Sequence, residues 1–202
     1  VKQKRRKILT KRHGSIFIIT INRPEVKNAF DEETAKEMST AIDELEEDNT
    51  LFMGIIHGSG GTFSSGADLK ASAKGERIFT EKRGGFGIFA KPPTKPLIAA
   101  VEGYAVAGGL ELCLTCDVII AANDVQMGLP EVRHNLVALG GGLFRLPKRI
   151  PYHLVMELAL TGDIVSVKTF FKLGLVNKLV EPGQTLEEAI KFAERLQENG
   201  PL

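Results

Sequence analysis

Hydrophobic and polar positions change rhythm several times along the chain. Ile16 to Ile21 (IFIITI) is a β-branched and aromatic run between His13-Gly14 and Asn22-Arg23-Pro24, the pattern of a buried strand. Asp31, Glu32 and Glu33 follow, and apolar residues at Ala35, Met38, Ile42 and Leu45 then predict a helix. The three acids suit its first turn, where backbone N–H groups lack partners and the dipole is positive. Further strands are predicted at Leu51 to Ile56, Leu97 to Val101, Val118 to Ala121 and Leu175 to Val180. Helices are predicted from about Gly108, from Pro151 with a stop at Gly162, and from near Ser166 with a stop at Gly174. A last helix runs through Gln197, with Thr185 and Glu188 spaced as a capping box at its start. Ile78 to Ala90 carries glycines and no clean period, and Pro92, Pro93 and Pro96 break the chain after it. Strands alternating with helices predict an α/β layered core.

Length changes this picture little: 202 residues suit one domain, residues 1–202, with no internal repeat or linker. A chain of this size buries roughly 70% of its unfolded surface and needs no covalent staples. With 43% hydrophobic and 25% charged residues it has the composition of a soluble globular protein. The net charge of +1 gives no global field to recruit nucleic acid or a membrane. The one basic cluster, Lys2, Lys4, Arg5, Arg6 and Lys7, reads as a solvated chain end, with an anionic partner as the alternative.

No run of about 18 apolar residues predicts a membrane span, and no apolar segment follows the basic start as in a secretion signal. Cys113 and Cys116 form a lone C-x-x-C in apolar surroundings, with no second pair to complete a zinc site. They read as buried, reduced thiols, which fits a cytoplasmic setting.

Two glycine-rich segments hold the candidate chemistry. Gly58 to Lys70 (GSGGTFSSGADLK) follows a strand, and its small residues allow a ligand close to the backbone. It matches neither the phosphate-loop nor the dinucleotide glycine pattern, so nucleotide hydrolysis and dinucleotide binding drop out. Ala100 to Cys113 (AVEGYAVAGGLELC) reads as strand, glycine turn and helix start, which presents free N–H groups able to stabilise an oxyanion. Glu111 lies three residues beyond Gly108, on the same helix face, among Leu110, Leu112 and Leu114. A carboxylate in such company needs a role beyond surface solvation. Glu131, in Met127 to Val132 (MGLPEV), would alone read as a solvated loop acid. A pair of glutamates, however, is what acid–base work on one substrate requires.

Together these segments resemble the crotonase superfamily of enoyl-CoA hydratases and isomerases, through nearly the whole chain. Asn22-Arg23-Pro24 to Asn28-Ala29-Phe30 is similar to the family's NRP…NAL opening, and Phe63 to Lys70 (FSSGADLK) to its F-[SC]-A-G-A-D-[IL]-K loop. Gly103 to Glu111 matches its G-x-[AC]-x-G-G-G-x-E segment, with Ala107 in place of the first of three glycines. Leu129-Pro130-Glu131 and Gly140 to Pro147 (GGGLFRLP) follow in family order.

The resemblance implies a spiral of ββα units and an acyl-CoA substrate. The N–H groups of Ala67 and Gly108 would form the oxyanion hole, with Glu131 as main acid/base and Glu111 as its partner in positioning water. Ala67, Asp68, Leu69 and Lys70 would line the coenzyme A side, with Lys27 a further candidate. It implies no metal or redox cofactor, coenzyme A being part of the substrate, and a homotrimer or dimer of trimers. Family members usually continue into covering, subunit-joining helices, a region expected to be missing after residue 202. The activity expected is hydration of a trans-2-enoyl-CoA, as in fatty acid metabolism. An isomerase, a carnitinyl-CoA-type dehydratase, or a non-catalytic acyl-CoA- or RNA-binding protein are the alternatives. Ser65, where alanine is usual, and His134 and Asn135 depart from the pattern. The last two read as surface residues, with substrate contact the alternative.

Overall fold

The computed structural model describes residues 5–199. The chain begins with β1 (Ile8–His13) and β2 (Ile16–Ile21), followed by α1 (Glu32–Glu47), β3 (Met53–Gly58) and the short α2 (Leu69–Ala73). Then come β4 (Phe79–Thr80), β5 (Gly84–Gly85), β6 (Leu97–Val101), β7 (Tyr104–Val106) and α3 (Gly108–Thr115). After β8 (Val118–Ala122) and β9 (Gln126–Gly128) follow α4 (Gly142–Arg145) and α5 (Tyr152–Thr161). The described chain closes with β10 (Ile164–Ser166), α6 (Val167–Lys172), β11 (Lys178–Val180) and α7 (Thr185–Gln197).

The main sheet has the order β1-β2-β3-β6-β8-β11, antiparallel at its first pair and parallel thereafter. A second ladder lies beside it: β7 pairs with β9 in parallel, and β10 with β9 antiparallel. Two single bridges extend that ladder, Ser64 with Ala105 and Phe30 with Ala67. Successive turns of chain therefore each add one strand to the main sheet and one rung to the second ladder, and several then return by a helix. This is the spiral of ββα units that the family resemblance implies.

Both faces of the main sheet are covered at its inner strands β2, β3, β6 and β8, so those strands are apolar on both sides. Along β2, Ile16 and Ile18 face α7 and join Met53, Ile55, Ile98, Ile120, Ala189 and Ala193 in one buried cluster. Phe17, Ile19 and Ile21 face the other way, among Met38, Ile42 and Leu45 of α1 and the apolar residues of α3. The period of two along a strand thus sorts one run into two cores. Asp31 caps α1 by accepting from the Thr34 N–H, in keeping with the acids read at its start.

Several sequence readings change. β1 was not expected, because only Ile8 of its six residues is buried. Leu51 and Phe52 precede β3 rather than open it, and Leu175 and Val176 pack in the core ahead of β11. Pro151 sits just before α5, and Gly162 ends that helix in a left-handed conformation as read. The capping box at α7 does not form. The Thr185 hydroxyl donates instead to Glu102 (2.8 Å), which also accepts the Gly183 N–H (3.0 Å). Glu188 pairs with Lys178 and Lys191. A carboxylate from the β6–β7 turn thus does the work of the helix's own cap.

Lys2 and Lys4 lie outside the described residues. Lys7 is not a solvated end: its ammonium lies 2.5 Å from Asp31 and 2.9 Å from Glu33, both beside the first turn of α1. Burial alone would raise the Asp31 carboxyl, but Lys7, the Thr34 donors and Arg23 outweigh it and hold it at about 2. Cys113 and Cys116 are buried and form no disulfide, and burial pushes both thiols up. Among the described residues no helix is long and apolar enough to cross a membrane.

Candidate active site

The site grows out of the second ladder. In a parallel bridge one residue bonds to both neighbours of its partner, and the partner's own N–H points the other way. Phe30 donates to Gly66 O and accepts from Asp68 N, each at 2.8 Å, so the Ala67 N–H is left facing away from Phe30. There it meets the turn between β7 and α3. The approach is close: a Cβ added to Gly66, whose φ is +92°, would lie 3.0 Å from the Gly108 nitrogen. Gly108 is the first residue of α3 and has no acceptor one turn earlier, so its N–H is free as well. Two unclaimed N–H groups from separate loops therefore converge. A Cβ at Gly108 would stand 2.5 Å from the tip of the Phe86 ring, so any larger residue there has to displace that ring.

That turn carries strain. Ala107 caps α3 at φ +53° and ψ −128°, a region suited to glycine. Its N–H donates to Gly128 O (2.9 Å) and its carbonyl accepts from Glu111 N (3.1 Å), so it is pinned from both sides.

Ala67 and Gly108 open onto a cavity of about 860 Å³, shared with Glu111, Glu131, Leu69 and His134. Glu111 is 3% exposed and its Oε1 accepts the Gly142 N–H at 2.8 Å. Burial raises its pKa, while the N–H groups of Gly140 to Gly142 and the charge of Arg145 favour the ionised form. Glu131, on the 3₁₀ turn Pro130–His134, has only its own backbone N–H to favour its charge, and its buried Oε2 has no partner among the described residues. Burial first, and the neighbouring Glu111 charge, push its pKa up to about 7. The two carboxyl groups thus face one space, both raised by burial: Glu111 against several backbone donors and the Arg145 charge, and Glu131, with less to oppose burial, up to about 7, where it can carry a proton near neutrality.

Phe86 and Phe89 wall the cavity beside these groups. Phe30, Phe86 and Phe89 stack in series at centroid separations of 4.1 and 4.7 Å. This wall comes from the segment whose period was unreadable, and Phe86 holds a positive φ of 55° between glycines. The flanking Gly84-Gly85 and Gly87 were the only sequence hint.

Of the remaining candidates, only His134 lines the cavity. Asp68 caps α2 through the Lys70 and Ala71 N–H groups (3.1 and 3.2 Å) and pairs with Arg23 at 3.1 Å. Lys70 is exposed at the start of α2, beside cavity-lining Leu69. Lys27 is exposed, its ammonium 5.2 Å from the Tyr104 ring centroid, and its carbonyl accepts from the N–H of cavity-lining Ser65. His134 lines the cavity rather than only decorating the surface, and Asn135 has a conformational role, ending the 3₁₀ turn at φ +55°.

The sequence profile of the enoyl-CoA hydratase/isomerase family matches residues 11–202. The chain belongs to this family. An enoyl-CoA hydratase of Mycobacterium tuberculosis, EchA19, is 36% identical over 201 residues, covering 96% of this chain and 76% of that protein. A carnitinyl-CoA dehydratase of Escherichia coli is 38% identical over 195 residues, covering 95% of this chain and 74% of that one. The crystal structure of enoyl-CoA hydratase EchA1 from Mycobacterium marinum superposes with a TM-score of 0.95 at 51% identity, covering 98% of this chain and 78% of that one. The fold is thus the crotonase fold, over about three quarters of these relatives' length.

Proposed function

We propose that the protein is an enoyl-CoA hydratase, adding water across C2=C3 of a trans-2-enoyl-CoA. The observation that carries this reading is the glutamate pair: Glu111, anchored by a backbone donor, and Glu131, raised to about 7, border one cavity with two free N–H groups. The Ala67 and Gly108 N–H groups receive the thioester oxygen, which draws electrons from C3 and stabilises the enolate that forms. Water lies between the carboxyl groups. Glu111 takes its proton, the hydroxide oxygen bonds to C3, and protonated Glu131 delivers its proton to C2. One water is consumed, and proton exchange between the glutamates restores the starting state. The aromatic wall of Phe86 and Phe89 keeps bulk water from the enolate.

A substrate series of enoyl-CoAs of increasing length, scored by loss of conjugated-thioester absorbance, tests the reading. Glu131→Gln should lower turnover by roughly 10²–10⁴-fold. Glu111→Gln should lower it strongly with acyl-CoA affinity nearly intact, and the two losses should not add, as for groups acting as a unit. A double variant that still hydrates at the wild-type rate would refute the mechanism, and a folded wild type inert on every enoyl-CoA would refute the activity. The same pair run in reverse removes water from a hydroxyacyl-CoA. The likeness to a carnitinyl-CoA dehydratase makes that thioester the second substrate to assay.

A further inference from the structure

Against the Glu111 carboxylate lies the backbone of Gly140 to Gly142, and on it rests a second charged side chain. Arg145 donates to the Gly140 carbonyl at 2.8 Å through one guanidinium nitrogen and to the Phe89 carbonyl at 2.7 Å through the other. The glycines are there because charged groups press on this backbone from two directions. A Cβ at Gly140 would lie 2.4 Å from Glu111 Oε2, and one at Gly141 would lie 2.2 Å from the Arg145 guanidinium. Gly141 also takes a φ of +116°, open to few residues besides glycine.

The peptide units of this strip are oriented between the two charges. Gly140 gives its oxygen to Arg145, while the Gly142 N–H goes to Glu111 at 2.8 Å and the N–H of Gly141 also faces that carboxylate. A peptide polarised at its oxygen by a cation is a better donor at its nitrogen. Through Phe89, the same guanidinium ties the aromatic wall to the glycine strip.

We propose that Arg145 is a positioning residue, which holds the Gly140–Gly142 backbone against Glu111 and so leaves the proton of the glutamate pair on Glu131. This rests on the proposed hydratase reading for its catalytic consequence, though not for its effect on Glu111. The charged groups that bear on Glu111 are Glu131 from the 3₁₀ turn and Arg145 from α4, with Arg149 beyond it acting on Arg145, and His134 bordering the same cavity. Of these, only Arg145 both favours the Glu111 charge and braces the backbone that hydrogen-bonds it.

Removing a nearby positive charge makes a carboxylate easier to protonate, so the low-pH limb of activity moves up. Arg145→Met should shift that limb of kcat/KM upward by about one pH unit and lower kcat by roughly 10²-fold, as misplacement of a catalytic group does. Arg145→Lys keeps the charge but not the two-carbonyl fork. It should restore the limb while leaving kcat below wild type. Unmoved limbs in both variants, or an Arg145→Lys limb displaced as far as that of Arg145→Met, would overturn the proposal.

A second readout is independent of turnover. In protein carrying ¹³C at glutamate carboxyls, the Glu111 signal, assigned by its loss in Glu111→Gln, should titrate at higher pH in Arg145→Met than in wild type. An unmoved titration would refute the role of Arg145 whatever the substrate, whereas inactivity of wild type on all enoyl-CoAs would refute only the hydratase reading. Should Arg145→Met fail to fold, Arg145→Lys still decides, since it must lower kcat and leave the Glu111 titration in place.

Discussion

Ala107→Gly should make the protein more stable, although it removes a side chain. Ala107 sits at φ +53° and ψ −128°, fixed by its bonds to Gly128 and Glu111, so it cannot relax. A residue with a Cβ held in such a region costs about 1–3 kcal/mol. Glycine removes that strain but frees the unfolded chain, at a cost of about 0.4–1 kcal/mol. Loss of a half-buried methyl takes back about 0.4 kcal/mol, half the value of a fully buried carbon. The balance favours glycine by about 1 kcal/mol, which for a domain of this size is about 2–4 °C in Tm. Urea unfolding should show a higher midpoint with an unchanged slope, as expected when stability alone changes. Ala107→Val should move the other way, because branching at Cβ worsens a positive φ. A glycine variant that melts several degrees below wild type would refute the strain argument, and would mean that the Ala107 methyl, packed near Gly66, outweighs the backbone.

Three further outcomes follow from the site. Gly108→Pro removes one of the two free N–H groups and should lower turnover by roughly 10²–10³-fold, with circular dichroism to show that α3 still forms; near-normal turnover would remove Gly108 from the anion site. Glu131 has a folded pKa of about 7, above its ordinary value of 4.5, so its favourable contribution is complete below 4.5 and is lost as pH rises through 7. Glu131→Gln should therefore raise stability at pH 8 by about 1–2 kcal/mol, discounted for a half-exposed side chain, and have little effect at pH 4; equal unfolding shifts at both pH values would contradict this. Cys113 and Cys116, buried with raised pKa values, should react slowly with a thiol reagent in the folded protein, and rapid labelling of either would contradict their packed environment.

Where a stretch of chain is apolar on both sides or on one regular face, its structure was plain in the sequence: β2, β6, β8, α1 and α7 follow their patterns. β1 escaped because edge position leaves ILTKRH mostly wet, yet the two-residue Gly14-Ser15 connection pairing His13 with Ile16 was a readable hairpin mark. The Ile78–Ala90 segment escaped for a different reason. It is shaped by contacts with distant parts of the chain, such as buried Arg83 on Asp43 of α1 (2.6 Å) and Phe86 over Gly108. No local period encodes those contacts. Glu111 was legible as an acid among leucines, and Glu131 only as the partner such an acid requires. Arg145 was quoted within a motif but its work was not, since that depends on two carbonyls 5 and 56 residues away. The capping of α7 by Glu102 is likewise a long-range bond that displaced a local one.

The two free N–H groups belong to the main chain, and the two carboxyl groups to side chains. Any codon at position 67 except one for proline keeps its amide donor, while a single base change can erase either glutamate. Substitution therefore bears unequally on the two halves of the cavity: the N–H half is carried by the path of the chain, and the carboxyl half by two side chains that one letter each can change. The proton-handling side chains of this spiral can therefore change while both N–H groups stay on the cavity wall.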